Sequence, residues 1–153
     1  MQEKLYDGFV EKFVAYAKTL KVGDGLAEGT TMGPLAHDRR VPWIEMLVQD
    51  AQSKGAKVHT GGSRIGNKGY FYEPTVMTDV PLNARAMNEE PVGPMAMISR
   101  FKDFDEVVTE ANRLPYGLAA YAFTKSAKTA NAIASKVESG MMTINHLGLA
   151  LPE

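Results

Sequence analysis

The chain has 153 residues, 44% of them hydrophobic and 23% charged, which is enough apolar material for one core of ordinary size. Its 17 basic and 18 acidic residues give a formal net charge of −1, which argues against a nucleic-acid-binding protein and against attraction to an anionic membrane. The absence of cysteine excludes disulfides, thiolate catalysis and zinc-thiolate sites. The sequence has no signal peptide and no apolar run near the ~20 residues of a membrane-spanning helix, so we expect a cytoplasmic protein.

The first half predicts two helices joined by a glycine-rich loop. Glu3–Leu20 reads as an amphipathic helix that Gly23 and Gly25 stop, because apolar residues recur at spacings of three and four. A second helix is predicted from Asp38, as its cap, to Lys54. The apolar positions of the first helix are Leu5, Phe9, Phe13, Ala17 and Leu20, and the predicted buried face of the second is Val41, Ile44, Leu47, Val48 and Ala51.

The rest of the chain alternates between short strands and helices. Asp103 and Ser126 are the predicted caps of the two helices. A strand–helix–strand–helix–strand order with short links favours parallel pairing through crossover helices, and thus an α/β fold. The predicted strands are Lys57–Thr60, Phe71–Met77, Met95–Phe101, Leu118–Phe123 and Gly140–Asn145, and the predicted helices are Asp103–Arg113 and Ser126–Val137.

Few residues are arranged for chemistry. The three histidines lack the spacing of a metal site, so we predict no metal, and we interpret His37 and His59 as surface or packing residues. His146 follows a predicted strand, at the end where α/β sheets bind ligands. Neither Gly23-x-Gly25 nor Gly61-Gly62 is a dinucleotide fingerprint, because no strand precedes the first pair and no helix follows the second.

The segment Met87–Pro94, MNEEPVGP, is the most distinctive local feature. Two adjacent carboxylates precede a Pro-x-Gly-Pro bend, which fixes the direction of the backbone. A carboxylate held in this way can accept hydrogen bonds from a pair of ribose hydroxyls. The alternative is a solvated charge pair before a turn, which the residue types alone favour.

Seven segments, in order, resemble the NAD(P)-dependent aldehyde dehydrogenase superfamily in the C-terminal part of its catalytic domain. The resemblance covers nearly the whole chain, and INHLGLALPE at residues 144–153 is most similar to bacterial semialdehyde or aromatic-aldehyde branches. The segments are YDGFVEKFVAYAKTLKVGDG (Tyr6–Gly25), MGPL (Met32–Leu35), GAKVHTGG (Gly55–Gly62), GYFYEPTVMTDV (Gly69–Val80), NEEPVGP (Asn88–Pro94), NRLPYGLAAYAFT (Asn112–Thr124) and SGMMTIN (Ser139–Asn145).

The resemblance implies a three-layer α/β/α sandwich with a mostly parallel sheet, forming a single truncated catalytic domain over residues 1–153. It also implies that the full-length enzyme oxidises an aldehyde to a carboxylate with NAD or NADP, using a cysteine nucleophile and a glutamate base. In the family those two residues, the oxyanion asparagine and the dinucleotide-binding domain lie upstream of the segment matched here. We therefore expect a chain cut at both ends that contains no catalytic residue, binds no cofactor by itself and is inactive alone.

Four residues match family positions near the site. Glu90 matches the second glutamate of the family's E-E-x-F-G-P motif, which implies a hydrogen bond to the ribose of the nicotinamide half of the cofactor. Val92 replaces that motif's phenylalanine and lacks its aromatic face. Asn145 and His146 match the loop that borders the aldehyde tunnel, which implies a role in shaping the substrate site.

The expected partners are a small-molecule aldehyde in the full-length enzyme and a second copy of the chain in a homodimer, with no nucleic acid and no membrane. An alternative is a non-enzymatic interaction module that self-associates or binds a full-length relative. Exposed apolar faces and open sheet edges would drive such an association. Binding of a dinucleotide by the chain alone is the least favoured hypothesis, because the sequence has no phosphate-binding loop.

Overall fold

A computed structural model describes residues 1–148; residues 149–153, the end of the INHLGLALPE segment, lie outside the described part. Contacts divide the chain into a first unit, Met1–Arg100, and a second unit that begins at Phe101. A single domain over residues 1–153 stays a prediction. Within residues 1–148, none of the helices is both long and apolar enough to cross a bilayer.

The first unit is built on a mixed three-stranded sheet. Strand β2 is central, antiparallel to β1 and parallel to β3. Its bounds and those of its neighbours are β1 Lys57–Thr60, β2 Thr75–Thr78 and β3 Met95–Ile98, and the helices of the unit are α1 Glu3–Ala17, α2 Arg40–Ser53 and a short 3₁₀ helix at Arg85–Met87.

The two helices pack on opposite faces of strand β2, because consecutive residues of a strand point to opposite sides of the sheet. Val76 packs with Tyr6 and Val10 of α1, whereas Met77 packs with residues of α2 such as Ile44. The first unit therefore has the helix–sheet–helix layering that the resemblance implied, and the predicted α/β class is confirmed. All five residues of the predicted buried face of α2 are at most 5% exposed.

Helix α1 buries a different face from the stripe that its spacing suggests. Leu5, Phe9 and Phe13 are exposed at 61%, 38% and 36%, whereas Tyr6 and Val10 are buried. The apolar arc of this helix is wider than the part that the sheet covers. The Tyr6 hydroxyl donates a hydrogen bond to the Ile98 carbonyl at 3.1 Å, which ties α1 to strand β3.

Several predicted boundaries differ from the observed ones. Helix α1 ends at Ala17, before the glycines, and α2 begins at Arg40, so Asp38 is not its cap and instead accepts a hydrogen bond from the Arg39 amide at 2.8 Å. The second strand begins at Thr75 rather than at residue 71. Pro74 has no N–H to donate to a sheet ladder, which explains this later start.

The second unit contains a strand–helix–strand motif. Strands β4, Ala119–Ala122, and β5, Met141–Ile144, pair in parallel as predicted, while β3 pairs with β2 of the first unit. The helices are α3 Phe104–Ala111 and α4 Ala127–Lys136. Both predicted caps are confirmed: Asp103 Oδ1 accepts hydrogen bonds from the amides of residues 105 and 106, and Ser126 Oγ accepts one from the amide of residue 129.

Tyr72 is the largest fully buried side chain of the first unit, and its hydroxyl has no hydrogen-bond partner within residues 1–148. Burial is the main cause that raises the pKa of Tyr72 to about 12. Leaving a buried hydroxyl unpaired costs on the order of 1–3 kcal/mol. We therefore expect Tyr72→Phe to raise the free energy of unfolding by about 1 kcal/mol in a urea titration.

Tyr6→Phe is the matched control, because its buried hydroxyl does have a partner, the Ile98 carbonyl. Removing that bond should lower the free energy of unfolding by about 1 kcal/mol. A loss of stability of the same size in both variants would contradict the assignment of an unpaired hydroxyl to Tyr72.

Candidate functional site

The bend that the sequence singled out is anchored at both ends. The Asn88 side-chain amide donates hydrogen bonds to the carbonyls of Leu82 and Ala84, both at 2.8 Å. At the other end, the Thr75 amide at the start of β2 donates to the Pro94 carbonyl at 2.8 Å. The central strand and the residues around the 3₁₀ helix thus set where the bend begins and ends.

The middle of the bend is closely packed on one side and strained. A Cβ at Gly93 would lie 2.6 Å from Ile44 Cδ1, so only glycine allows the bend to approach helix α2 this closely. Val92 has a φ of +41°, a left-handed conformation that a β-branched residue rarely adopts. Such strain costs of order 1–3 kcal/mol and persists only where surrounding contacts impose it.

Glu90 presents its carboxylate on the surface while its backbone is held by helix α2. The indole Nε1 of Trp43 donates a hydrogen bond to the Glu90 carbonyl at 3.2 Å. Glu90 itself is exposed. The backbone carbonyl of Glu90 is thus bound by the indole, while the residue as a whole is exposed.

Arg85 connects the neighbours of Glu90. Its guanidinium forms a bidentate ion pair with Glu89, at 2.6 Å from Nε and 2.9 Å from Nη2, and lies 5.5 Å from the centre of the Trp43 ring. This pair lowers the pKa of the Glu89 carboxyl below its ordinary value. The backbone amide of Arg85 donates to Asp50 at 2.7 Å, and Lys54 lies 2.8 Å from the same carboxylate.

A cavity of about 240 Å³ adjoins Trp43 at the start of helix α2. Its lining is His37, Arg39, Arg40 and Trp43, and the buried His37 Nδ1 has no hydrogen-bond partner within residues 1–148. Drug-sized ligand sites usually measure about 300–1,000 Å³, so this cavity suits one part of a dinucleotide rather than the whole. Two guanidinium groups and an indole suit a phosphate or ribose group, whereas the buried His37 Nδ1 is not accessible to one.

His37 is half-buried at this cavity, and its interpretation as a surface or packing residue stays a prediction. His59 is an exposed surface residue whose Nε2 lies 2.7 Å from the Thr78 hydroxyl on the neighbouring strand. Within residues 1–148, no cluster of three His, Asp or Glu side chains could hold a metal ion.

Asn145 locks the ends of strands β4 and β5 together in the second unit. Its Oδ1 accepts from the Thr124 amide and its Nδ2 donates to the Thr124 carbonyl, both at 2.9 Å. Its own amide donates to the Ala122 carbonyl at 2.8 Å, with φ at +57°. Both the oxygen and the nitrogen of the side-chain amide are thus engaged, and they extend the ladder as another pair of backbone groups would.

His146 is exposed at this strand end, as are its neighbours Asn145 and Leu147. Its carbonyl accepts a hydrogen bond from the buried Thr143 hydroxyl at 3.1 Å, which fixes the backbone while leaving the imidazole at the surface. Glu90 and Val92 belong to the first unit, and Asn145 and His146 to the second.

Sequence reasoning missed Trp43, Arg85 and Thr124. Trp43 offered a signal, because it is the single tryptophan of the chain and stands in the first turn of a helix. Arg85 offered none, because it lies outside the quoted motifs, and Thr124 ends one of them without any sign of its pairing with Asn145. Their roles depend on contacts with residues distant in sequence or on a neighbouring strand.

We expect Asn145→Ala to expose the Thr124 amide, because the variant loses both side-chain hydrogen bonds. Asn145→Asp keeps the acceptor oxygen and tolerates the left-handed backbone, so it should retain most of the protection. Hydrogen exchange measured by NMR at Thr124 should be at least about tenfold faster in the alanine variant, which corresponds to a lost hydrogen bond of ~1.4 kcal/mol. Equal exchange rates in the two variants would show that the Asn145 side chain does not pair with Thr124.

Comparison with known proteins agrees with this architecture. The profile of the Aldehyde dehydrogenase family matches residues 1–150. The chain is 43% identical to a glutarate-semialdehyde dehydrogenase of Pseudomonas putida, covering 95% of this chain and 30% of the relative. It is 40% identical to a 4-(hydroxymethyl)benzenesulfonate dehydrogenase of Comamonas testosteroni, covering 100% of this chain and 32% of the relative.

A solved structure of an Escherichia coli NADP-dependent enzyme superimposes with a TM-score of 0.94 at 38% identity, covering 97% of this chain and 31% of that one. The chain thus spans about 30% of the length of the curated relatives that it matches. The predicted family is confirmed, and semialdehyde and aromatic-aldehyde dehydrogenases are among the relatives that match. The chain belongs to the aldehyde dehydrogenase family.

Proposed function

We propose that this chain is the part of an NAD(P)-dependent aldehyde oxidoreductase that contacts the nicotinamide ribose and shapes the aldehyde site. The overall reaction would convert an aldehyde, NAD(P)⁺ and water into a carboxylate, NAD(P)H and two protons. The observation that carries the proposal is the anchored Glu90, whose carbonyl is occupied by Trp43 and whose carboxylate remains at the surface. Bound NAD(P) would accept the hydride.

The residues of the first unit would hold one part of the cofactor. The Glu90 carboxylate would accept hydrogen bonds from the two ribose hydroxyls. Arg39 and Arg40, which line the adjoining cavity, would attract a phosphate. Val92 cannot offer the aromatic face of the family's phenylalanine, so contact with the nicotinamide ring would rely on its shorter aliphatic side chain.

The second unit would border the substrate. Asn145 would keep the strand ends in register, and His146 would present its imidazole toward the aldehyde side, where it would shape the site rather than transfer a group. The chemical step requires a nucleophilic thiolate, and this chain has no cysteine. The nucleophile and the base that activates water would come from polypeptide outside these 153 residues.

We expect the chain alone to show no turnover. The test is the absorbance of NADH or NADPH at high protein concentration with succinate semialdehyde, glutarate semialdehyde and benzaldehyde. The full-length Pseudomonas putida relative serves as the positive control. Reduction of either cofactor above the protein-free blank would overturn the proposal that catalysis depends on a thiolate supplied elsewhere.

A second candidate function is self-association, and the exposed stripe on helix α1 favours it. Leu5, Phe9, Phe13 and Tyr16 lie on one face of the helix at 36–67% exposure, and the rings of Phe9 and Phe13 are 5.6 Å apart. A contiguous apolar stripe of this kind is typical of an interface rather than of a solvated surface. A homodimer formed through α1 would cover it.

We expect light scattering after size exclusion to give a dimer mass for the chain at about 100 µM, a concentration at which micromolar affinity suffices for association. Phe9→Lys should shift the mass toward the monomer by placing a charge in the centre of the stripe. Leu26→Lys is the control, because Leu26 is an isolated loop residue that is 97% exposed. A monomer for the unaltered chain would contradict this second candidate.

A further inference from the structure

A closed ring of contacts surrounds the backbone of Glu90. Trp43, from helix α2, donates to the Glu90 carbonyl; Glu89, the preceding residue, pairs with Arg85; and the Arg85 guanidinium lies over the Trp43 ring. A fourth contact joins the 3₁₀ helix to the bend, since the Glu89 amide donates to the Arg85 carbonyl, four residues earlier, at 2.8 Å. Helix α2 and the segment of residues 85–90 thus meet at one point.

The indole of Trp43 is held by two contacts, one at its N–H and one on the face of its ring. Its N–H is a donor only and is used by the Glu90 carbonyl at 3.2 Å. Its face is attracted to the guanidinium of Arg85, with 5.5 Å between the cation and the ring centre. A shift of either partner would therefore change the orientation of the indole and, with it, the position of the Glu90 carbonyl.

Arg85 is held in place independently of Trp43. Its backbone amide donates to Asp50 at 2.7 Å, and its Nη1 lies 2.8 Å from the Met46 sulfur on helix α2. Its side chain is nevertheless exposed, and it lies on the outer side of Trp43 and Met46, which are only partly buried against the core. These contacts favour a role in fixing local geometry over a role in the stability of the core.

We propose that Arg85 and Trp43 are positioning residues that set the backbone of Glu90 and Val92 before any nucleotide binds. This inference rests on the proposed role of Glu90 as the ribose contact. A carboxylate that is already oriented loses less conformational freedom when it binds two hydroxyls, so affinity is gained without a further contact. The same ring of contacts holds Val92 in its left-handed conformation, next to the close approach of Gly93 to Ile44.

The test uses NMR on the ligand-free 153-residue chain, in which the indole N–H and the emission spectrum each report on Trp43 alone because it is the single tryptophan. Arg85→Met removes the charge and keeps an apolar stem. We expect Trp43 Nε1–H exchange at least tenfold faster, a red shift of the emission, lower backbone order at residues 90–92, and a Glu89 carboxyl that titrates at its ordinary value.

Trp43→Phe removes the N–H and keeps an aromatic ring beneath Arg85. We expect residues 90–92 to lose order while the Glu89 carboxyl still titrates below its ordinary value, since the ion pair with Arg85 survives. A general loss of structure would instead change both the backbone order of residues 90–92 and the titration of the Glu89 carboxyl. This second variant also keeps the proposal falsifiable if Arg85→Met fails to fold.

Lys136→Met is the matched control in the second unit. Lys136 combines an ion pair with Asp105 at 2.6 Å and a cation–π contact with Phe104 at 5.5 Å. The Lys136→Met variant therefore loses the same two kinds of interaction as Arg85→Met. We expect no change at Trp43 or at residues 90–92. Unchanged order at residues 90–92 in folded Arg85→Met and Trp43→Phe variants would overturn the positioning role.

The positioning role and the proposed oxidoreductase function are tested by different measurements. The positioning role is read without nucleotide or aldehyde, so it can fail while the proposed oxidoreductase function stands. Turnover by the chain alone would overturn the proposed function and leave the measured order of residues 90–92 unaffected.

Discussion

The alternation of Val76 and Met77 on strand β2 is the constraint on which the first unit depends. One residue packs under helix α1 and the other under helix α2, so a single strand carries a core on each of its faces. The strand is only four residues long, yet all four are buried. Its register also sets the position of the candidate site, because the Thr75 amide at its start binds the Pro94 carbonyl at the end of the bend.

The bend shows how a well-packed scaffold can hold an unfavourable local conformation. Val92 adopts a positive φ that costs of order 1–3 kcal/mol, and it does so between Glu90, tied to helix α2, and Gly93, packed on Ile44. Strain of this kind is expected where a surface must be presented in one fixed shape. In this chain that surface contains an exposed carboxylate, which is the group that a ribose would require.

The site also shows a division of labour within the family's fold. In the proposed function, the groups found here would bind, orient and support: a carboxylate, two guanidinium groups, an indole and an asparagine that joins two strands. None of the 153 residues is a cysteine, so in that proposal the covalent step would fall to polypeptide outside them. The relatives, about three times longer, have room for both parts.

Several features were predictable from the sequence, because each depends on local spacing or on a short motif. They are the order of elements, the family, the caps at Asp103 and Ser126 and the buried face of helix α2. The exposed face of α1 was not, because its apolar arc is wider than the sheet that covers it, and spacing alone does not say which half is buried.

The motif was enough to place Glu90 in a bend, but it could not predict that the Glu90 carbonyl is held by a hydrogen bond. That feature depends on Trp43, which is 47 residues away, and on Arg85, which contacts both helix α2 and the bend. Sequence by itself thus determined which residues are available and which local elements they form. Only the tertiary structure decided which of them meet, because contacts between distant segments arise from the packing of helices on the sheet.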